Sequence, residues 1–347
     1  MKVRLFLKRL FLFSLPLVPF VVLYLVLDPF KVIGHYAAYY RSDKPNYISL
    51  NKDFVSTENW INHYPEYHYT SYIFGNSRSM YYEVGRWNNY IHENPDNCYH
   101  FDASGESLYG IEKKIDFLNN RKAPIKNALV ILDYATLNQT HNSEGHLFSK
   151  DPHLSGQMPI AFQLACFQAF FDVKFFRAYL DFKLTGKVKD YMKKEFLLDD
   201  RPLDYNYITN EVRQSVYEKM IAHNPADFYQ PRQAIFYTRD SIEKTSPVII
   251  GAPQLQLLNH MHAIFAGMQT SYKIIINPLY DQLKLNPADV QTLKGIFGEN
   301  NVYDFSGKNN ITDNLQNYYE TSHYRPHVAE QIMEKVYGNH GNELAEK

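Results

Sequence analysis

Two runs of consecutive apolar residues constrain the fold of this chain most: ALVIL at 128–132 and KIIIN at 273–277. A strand that is apolar on both sides is typical of a parallel sheet whose two faces are covered. Shorter apolar runs at 71–74, 98–101 and 301–305 predict further strands. The sequence therefore predicts a sheet of at least five strands.

Helical patterns separate these runs. In SLYGIEKKIDFLNN (107–120), Leu108, Ile111, Ile115 and Leu118 recur at spacings of three and four, as a helix buried on one face requires. Alternation of strand and helix indicates an α/β domain, in which right-handed crossovers put helices on both faces of a parallel sheet. We expect a three-layer α/β fold with further helices at 79–92, at 286–297 and from Pro326 to Gly338.

The pattern is interrupted between about 140 and 270, which we interpret as a helical insertion. It holds an aromatic helix at 161–184, whose Phe-rich face packs on its own domain or contacts a membrane or a partner protein; we favour the first. The chain then divides into a cytoplasmic stub with a membrane anchor (1–30), a Tyr-rich linker (31–68), the α/β domain with its insertion (69–338) and a polar tail (339–347).

The N-terminus carries a targeting signal. Lys2, Arg4, Lys8 and Arg9 precede an uncharged run at 10–27, LFLFSLPLVPFVVLYLVL. Eighteen such residues just span a bilayer core, and the cations place the N-terminus in the cytoplasm. A cleaved signal peptide is the alternative, disfavoured because DPFK follows instead of a small-x-small site. We predict a single-pass protein of the cytoplasmic membrane with its main domain periplasmic or extracellular.

Composition excludes some functions. A formal net charge of −1 argues against nucleic acid as a partner, since phosphate binding needs a basic surplus. No phosphate-cradling glycine loop or dinucleotide fingerprint is present, so no cofactor is predicted. Cys98 and Cys166 form one disulfide or none. His323 and His327 are four residues apart, but Pro326 argues against a shared helix, and no metal site is predicted.

Chemically useful residues follow the predicted strands. Ser77 comes after the first strand, Gly105 after the second, and Asp133 and Asn138 after the third, while YYETSHYRP (318–326) precedes the last helix. Ligands of open parallel sheets bind at the carboxyl ends of the strands. We therefore expect these segments to meet at one edge of the sheet.

A serine nucleophile needs a base within hydrogen-bond reach and a group that orients the base. We predict Ser77 as the nucleophile, His323 as the base and Glu320, three residues before it, as the orienting acid. The backbone N–H groups of Ser77 and Gly105 are suitable oxyanion donors, and an asparagine amide such as that of Asn138 would complete the set.

The segments FGNSRS, DASGES and ETSHYRP resemble three blocks of the SGNH/GDSL hydrolase superfamily, over roughly 40% of the chain. The resemblance implies an SGNH-like fold with Ser77 as nucleophile, Gly105 as oxyanion donor and His323 as base. Two departures stand out. The third block reads LDYATLN instead of Gly-x-Asn-Asp, so Asn138 supplies the amide or Asp133 occupies the site. Glu320 stands where the family usually has Asp.

With its anchor, the chain is similar to membrane-tethered relatives such as the alginate O-acetylation proteins and the D-alanyl transfer protein of teichoic acid synthesis. That resemblance implies a serine acyltransferase or esterase that works beside a multi-spanning membrane-bound O-acyltransferase. The expected substrate is an envelope or exported polysaccharide, and the expected acyl group is acetyl. Asn76, Arg78 and Asp133 are candidate substrate-binding residues; Arg78 holds an acidic sugar or donor phosphate, or forms a structural salt bridge.

Two other readings stay open at this point. A catalytically inactive relative would bind polysaccharide or the membrane acyltransferase, and a purely structural envelope protein would do neither. The distance between Ser77 Oγ and a ring nitrogen of His323 separates them, since catalysis needs a contact of about 3.2 Å or one bridging water.

Overall fold

The computed structural model describes Arg4, Phe6, Arg9 and residues 15–338, apart from positions 43, 195–196 and 201–202. The rest of the predicted stub and the tail at 339–347 lie outside the described residues. The strands of the described part are β1 Ser71–Gly75, β2 Cys98–Asp102, β3 Asn127–Leu132, β4 Asp204–Asn206, β5 Glu211–Arg213, β6 Ser271–Ile276, β7 Val302–Asp304, β8 Tyr318–Glu320 and β9 His323–Tyr324.

The α-helices of the same residues are α1 Val18–Leu27, α2 Lys52–Tyr67, α3 Val84–Ile91, α4 Leu108–Asn120, α5 Tyr134–Asn138, α6 Pro152–Ser155, α7 Pro159–Phe170, α8 Val173–Thr185, α9 Asp190–Lys193, α10 Ser215–His223, α11 Pro225–Tyr229, α12 Ala252–Met268, α13 Pro287–Phe297, α14 Asn310–Asp313 and α15 Pro326–Tyr337. Short 3₁₀ helices lie at Leu15–Leu17, Ser77–Tyr81, Pro95–Asn97, Gln230–Ile235, Glu299–Asn301 and Leu315–Asn317.

Five strands form one parallel sheet in the order β2-β1-β3-β6-β7. These are the five strands predicted from the apolar runs, so the α/β prediction is confirmed. All five strands point the same way, and the loops that follow them therefore leave from one edge. Strands β4 and β5 form a separate hairpin, as do β8 and β9.

The two faces of the sheet bury separate apolar cores. On β3, Val130 and Leu132 belong to one core, whereas Leu129 and Ile131 belong to the other, as the two-residue period of a strand requires. Helices α2, α4, α12 and α13 cover the first face, and α3 and α15 cover the second. The domain therefore has three layers, and its central strands are apolar because both of their sides are buried.

Part of the segment predicted as a linker is a helix. Asn51 caps α2 by accepting a hydrogen bond from the Phe54 N–H, and Trp60 of this helix is buried in the first core. The segment looked like a linker because α2 also buries polar side chains, such as Asn59, whose amide donates to the Tyr99 hydroxyl and the Tyr207 carbonyl. Buried polar groups that find partners elsewhere in the fold, as the Asn59 nitrogen does, are invisible to a hydrophobic pattern.

The predicted insertion ends earlier than expected. Helix α12 lies between β3 and β6 and buries Leu258, Met261 and Phe265 in the first core, so it is the crossover helix of an ordinary βαβ unit. The single aromatic helix predicted at 161–184 is two helices. Asp172 separates them, because its carboxylate caps α8 by accepting hydrogen bonds from two backbone N–H groups.

The predicted membrane anchor is described only in part. Helix α1 has ten residues, and positions 10–14 of the apolar run lie outside the described residues. Within the part of the chain that the structure describes, no helix has both the length and the apolar character needed to cross a bilayer.

Candidate active site

Ser77 begins the loop that follows β1. Asn76 ends the extended backbone, and its side-chain oxygen accepts a hydrogen bond from the Arg78 N–H at 3.0 Å, which starts the 3₁₀ helix Ser77–Tyr81. Ser77 is therefore the first residue of a helical turn and is half-buried. Its N–H forms no hydrogen bond with any residue in the described part of the chain, as is usual for a first-turn donor.

Glycine is required at position 75 because there is no room for a side chain. It is the last residue of β1, and a Cβ at this position would lie 2.8 Å from Ser79 Cβ and 2.9 Å from Ile131 Cβ. Only glycine lets the 3₁₀ helix fold back this closely over the strand end. The start of the serine loop is therefore packed against β3.

The hairpin β8–β9 carries the other two predicted catalytic residues. Glu320 and His323 are paired across it, on either side of a two-residue turn. Buried Tyr318 and Tyr324 hold the hairpin on the second core, and the Tyr324 hydroxyl donates to Asn277 Oδ1 at 2.8 Å. These contacts fix the position of the hairpin and, with it, the position of the His323 imidazole.

The structure brings Ser77, His323 and Glu320 into one chain of hydrogen bonds. His323 Nε2 lies 2.8 Å from Ser77 Oγ, and His323 Nδ1 contacts Glu320 Oε1. An ionised carboxylate only accepts, so Nδ1 carries the proton and Nε2 accepts from the serine hydroxyl. This is the tautomer that a general base needs to remove a proton from the serine.

Glu320 is held ionised. Burial alone would raise its pKa, but the hydrogen bond donated by His323, together with the Ser322 N–H and the charge of Arg78, outweighs burial, so the pKa of Glu320 is lowered. The Ser322 N–H also donates to Glu320 Oε2, at 2.6 Å. Glu320 thus contacts the imidazole although its side chain is one carbon longer than that of aspartate, because the turn backbone fixes its second oxygen.

Arg78 ties the serine loop to its neighbours. Its Nη1 lies 2.6 Å from Asp133 Oδ2, and its Nε donates to the Ser322 carbonyl at 2.8 Å. The Asn76 amide donates to Asp133 at 2.7 Å and to Thr136 at 3.0 Å. The predicted substrate-binding side chains Asn76, Arg78 and Asp133 are therefore bonded to protein, and the salt-bridge reading of Arg78 is the one that the structure bears out.

Asp133 is a buried anion that these contacts stabilise. Burial raises its pKa, but Arg78, the Thr136 N–H and Asn76 outweigh burial, so the pKa of Asp133 is lowered. Its other oxygen caps α5 by accepting from the Thr136 N–H at 2.9 Å. The third loop thus supplies a carboxylate that binds Arg78, and Arg78 connects the loop of Ser77 to the hairpin that carries His323. The sequence offered Arg78 and Asp133 as separate candidates and gave no sign that they pair.

The other two predicted oxyanion donors, Gly105 and Asn138, form no hydrogen bond with Ser77. Gly105 has φ +58° and lies exposed; a Cβ there would meet only the Phe148 ring, at 3.4 Å. Asn138 ends α5 with an exposed side chain that forms no hydrogen bond within the described residues. The unbonded Ser77 N–H is therefore the donor that the geometry supplies directly.

A buried ionic cluster underlies the Gly105 loop, and the sequence analysis missed it. Glu106 accepts from Lys150 at 2.6 Å and pairs with Lys114, while Asp53 of α2 lies 3.1 Å from Lys114 Nζ. All four side chains are almost fully buried. Charged residues scattered over three segments show no pattern in sequence, and only the fold reveals that they fix the loop after β2.

A group that could hold a metal ion lies elsewhere in the described residues. Glu58, Asp151 and His153 place one ligand atom each within 4.8 Å of one another and line a cavity of about 400 Å³. None of the three contacts the serine. His327 pairs with Asn317, at 2.8 Å, so the two histidines of the last segment have different partners.

The chain was also compared with known proteins. It matches no protein-family model, no curated protein and no solved structure.

Proposed function

We propose that the chain is a serine O-acyltransferase or esterase of the SGNH type, anchored by its N-terminus at the outer face of the cytoplasmic membrane. One observation carries the proposal: Ser77 Oγ lies 2.8 Å from His323 Nε2, and the other ring nitrogen faces Glu320. Ser77 and His323 lie near opposite ends of the α/β domain in sequence, so their contact does not follow from local sequence.

The reaction begins with the serine. Ser77 Oγ attacks the acyl carbonyl carbon while His323 Nε2 takes the hydroxyl proton, and the charge on the imidazolium is stabilised by Glu320. The carbonyl oxygen becomes an oxyanion, which accepts a hydrogen bond from the Ser77 N–H. Collapse breaks the ester bond, and His323 returns the proton to the leaving alcohol oxygen.

The acyl-enzyme then reacts with a second hydroxyl. His323 takes a proton from water in an esterase, or from a sugar hydroxyl in a transferase, and Ser77 is regenerated. The chemistry uses no metal or organic cofactor. The proposed substrate is an acylated polysaccharide of the envelope, with acetyl as the proposed acyl group, or the acyl donor handed over by a multi-spanning membrane-bound O-acyltransferase.

A second function is favoured by a specific observation. The third loop places the Asp133 carboxylate beside the serine loop, paired with Arg78 and Asn76, and no amide of Asn138 is bonded there. A catalytically inactive relative that binds polysaccharide or the membrane acyltransferase would not need an amide donor at this position.

Ser77→Ala tests the proposal. The purified full chain should hydrolyse a small acetyl ester and should react covalently with a fluorophosphonate probe at Ser77. Loss of both in Ser77→Ala, with unchanged thermal stability, is the expected result, since removing the nucleophile typically costs about 10⁶-fold in rate.

Ser241→Ala is the control. Ser241 is an exposed serine whose described contact is made by its backbone carbonyl, so both activities should persist. Equal ester hydrolysis by wild type and Ser77→Ala, together with no labelling of wild type by the probe, would favour the binding function instead.

A further inference from the structure

Helix α1 packs on the insertion. The Tyr24 hydroxyl donates to Gln163 at 2.9 Å, and its ring lies 5.5 Å from that of Phe167. The Phe20 ring lies 5.4 Å from that of Phe171. Helices α7 and α8 therefore pack against the C-terminal part of the apolar run at 10–27. If α1 lies at a given depth in a membrane, α7 and α8 lie at a corresponding depth.

The free surface of α7 is apolar except for Gln168, and the first residue of α8 is apolar too, whereas exposed Lys174 and Arg177 follow further along α8. Helix α7, PIAFQLACFQAF, contains no charged residue, although Ile160 and Leu164 are 61% and 51% exposed. Val173 at the start of α8 is 80% exposed, and Val26 of α1 is 76% exposed. A helix that is apolar all round normally lies in a core or in lipid, and a continuous apolar surface of this kind marks an interaction site.

The length of the apolar run sets the depth. If the run spans a hydrocarbon core of about 30 Å, its last residue, Leu27, lies near the outer surface. At about 1.5 Å per residue, Tyr24 and Phe20 then lie about 4.5 Å and about 10 Å below Leu27. Their ring partners Phe167 and Phe171 must enter the outer half of the bilayer with them.

A cationic cavity lies just beyond the run. It measures about 390 Å³, and Lys31, Arg41, Lys44 and Lys183 line it without any acidic residue among the described lining. None of the four has a carboxylate within 4.0 Å in the described part of the chain. Asp43, between two of them in sequence, lies outside the described residues.

Among the described residues, no carboxylate pairs with the cations of this cavity, and Lys31 Nζ donates to the Tyr39 carbonyl. Burial lowers the pKa of Lys31, and Arg41 lowers it further, against the opposite effect of Asp28. The Asp28 carboxylate is taken up by the backbone N–H groups of Val32 and Gly34, each at 2.8 Å. An anion entering the cavity would therefore meet Arg41, Lys44 and Lys183, none of which has a carboxylate partner among the described residues.

We propose that α1, α7 and the start of α8 form a membrane-contact surface that enters the outer leaflet, and that the cationic cavity holds the headgroup of an anionic phospholipid. The proposal rests on the membrane attachment included in the proposed function, and not on its chemistry. It differs from the sequence prediction, which favoured packing of the Phe-rich face within the domain: one side of α7 does pack there, and the other side faces lipid.

The apolar part is tested with the full chain in vesicles of phosphatidylcholine and phosphatidylglycerol. A fluorophore is attached at Leu164→Cys, and at Ile242→Cys as the control, because Ile242 is 78% exposed but lies outside the three helices. Wild type, whose Cys98 and Cys166 are buried, gives the labelling background. Lipids with a nitroxide on the acyl chain should quench position 164 several-fold more strongly than position 242.

Equal quenching at the two positions would overturn the contact with lipid. Protection of position 164 only in native membranes, and not in vesicles of lipid alone, would also overturn it and would assign the surface to a protein partner. Ser77→Ala combined with Leu164→Cys should be quenched as strongly as Leu164→Cys alone, so a wild-type chain without esterase activity would count only against the proposed function.

The cationic part is tested by titrating the full chain in neutral detergent with short-chain phosphatidylglycerol. The variant with Arg41→Gln, Lys44→Gln and Lys183→Gln should bind on the order of 100-fold more weakly, at about fivefold per cation near a membrane surface. A matched variant has three exposed lysines replaced elsewhere, Lys122→Gln, Lys219→Gln and Lys335→Gln.

The matched variant should bind as wild type does, and both triple variants should keep ester hydrolysis. Equal binding of phosphatidylcholine, or an equal loss in the two triple variants, would overturn the headgroup site. Inorganic phosphate binding as tightly as the lipid would overturn it too, because the cavity would then be a site for a soluble anion.

Discussion

Replacing Gly75 by Ala would place a methyl group 2.8 Å from Ser79 Cβ, 2.9 Å from Ile131 Cβ and 3.1 Å from the Ile131 carbonyl oxygen. Two of these three atoms belong to the backbone or Cβ of a central strand, which cannot move without disturbing the sheet. Overpacking of this kind costs about 1–3 kcal/mol, and the stiffer unfolded chain offsets about 0.5 kcal/mol. The net loss of unfolding free energy should be about 0.5–2.5 kcal/mol.

The same substitution should also lower activity. Ser77 follows two residues later on the displaced turn, and a misplacement of about 1 Å can cost about 100-fold in rate. We expect a fall in kcat/KM for acetyl ester hydrolysis of about 10- to 100-fold. With an unfolding entropy of about 2 cal/mol/K per residue, Tm should fall by about 1–5 °C in a differential scanning measurement.

Gly85→Ala is the matched control. Gly85 lies in α3, and an added Cβ would have no heavy atom within 4 Å. Alanine is the better helix former, so this variant should gain about 0.5–1 kcal/mol and keep full activity. If Gly75→Ala were as stable and as active as wild type while Gly85→Ala behaved as expected, close packing at the strand end would not be what positions Ser77.

Two further predictions concern the residues around the serine. Glu320→Gln should lower kcat/KM by about 10³- to 10⁴-fold through loss of the correct His323 tautomer, with less than about 1 kcal/mol lost in denaturant unfolding because the pair is half-exposed; a full-rate variant would contradict the orienting role. Arg78→Met should cost about 2–3 kcal/mol, because it leaves the Asp133 carboxylate buried without its cation. The lowered pKa of Asp133 means that its stabilisation is present above the unfolded pKa and is lost as the pH falls through the folded one. Thermal unfolding followed against pH should therefore show this acid loss at higher pH in Arg78→Met than in wild type, and coincident curves would argue against the pair.

The central sheet was predictable because its signal is local. Runs such as ALVIL at 128–132 are buried on both sides, and the parallel strands they form place the following loops at one edge without further information. The order Ser77, Glu320 and His323 could be predicted for the same reason, since each residue follows a recognisable element. Their contact distances depend on the hairpin β8–β9, whose two-residue turn was too short to recognise from the pattern.

Long-range polar contacts could not be predicted. The pairing of Arg78 with Asp133 joins two loops 55 residues apart, and the cluster of Glu106 with Lys114 and Lys150 joins three segments. Such pairs have no periodicity, and single charged residues resemble a solvated surface in sequence. Helix α2 was missed on the same account, because its buried polar side chains lower the apolar content that would have identified it.

The contact between Ser77 and His323 spans 246 residues of chain. During synthesis the serine is made 246 residues before the histidine, so its hydroxyl has no imidazole partner until the hairpin β8–β9 has been made. A ribosome that stalls, or a protease that cuts the chain before this hairpin, would release a fragment that has the strands of the sheet but lacks the proposed base. On the proposed function, synthesis of the hairpin β8–β9 is therefore the step that activates the serine.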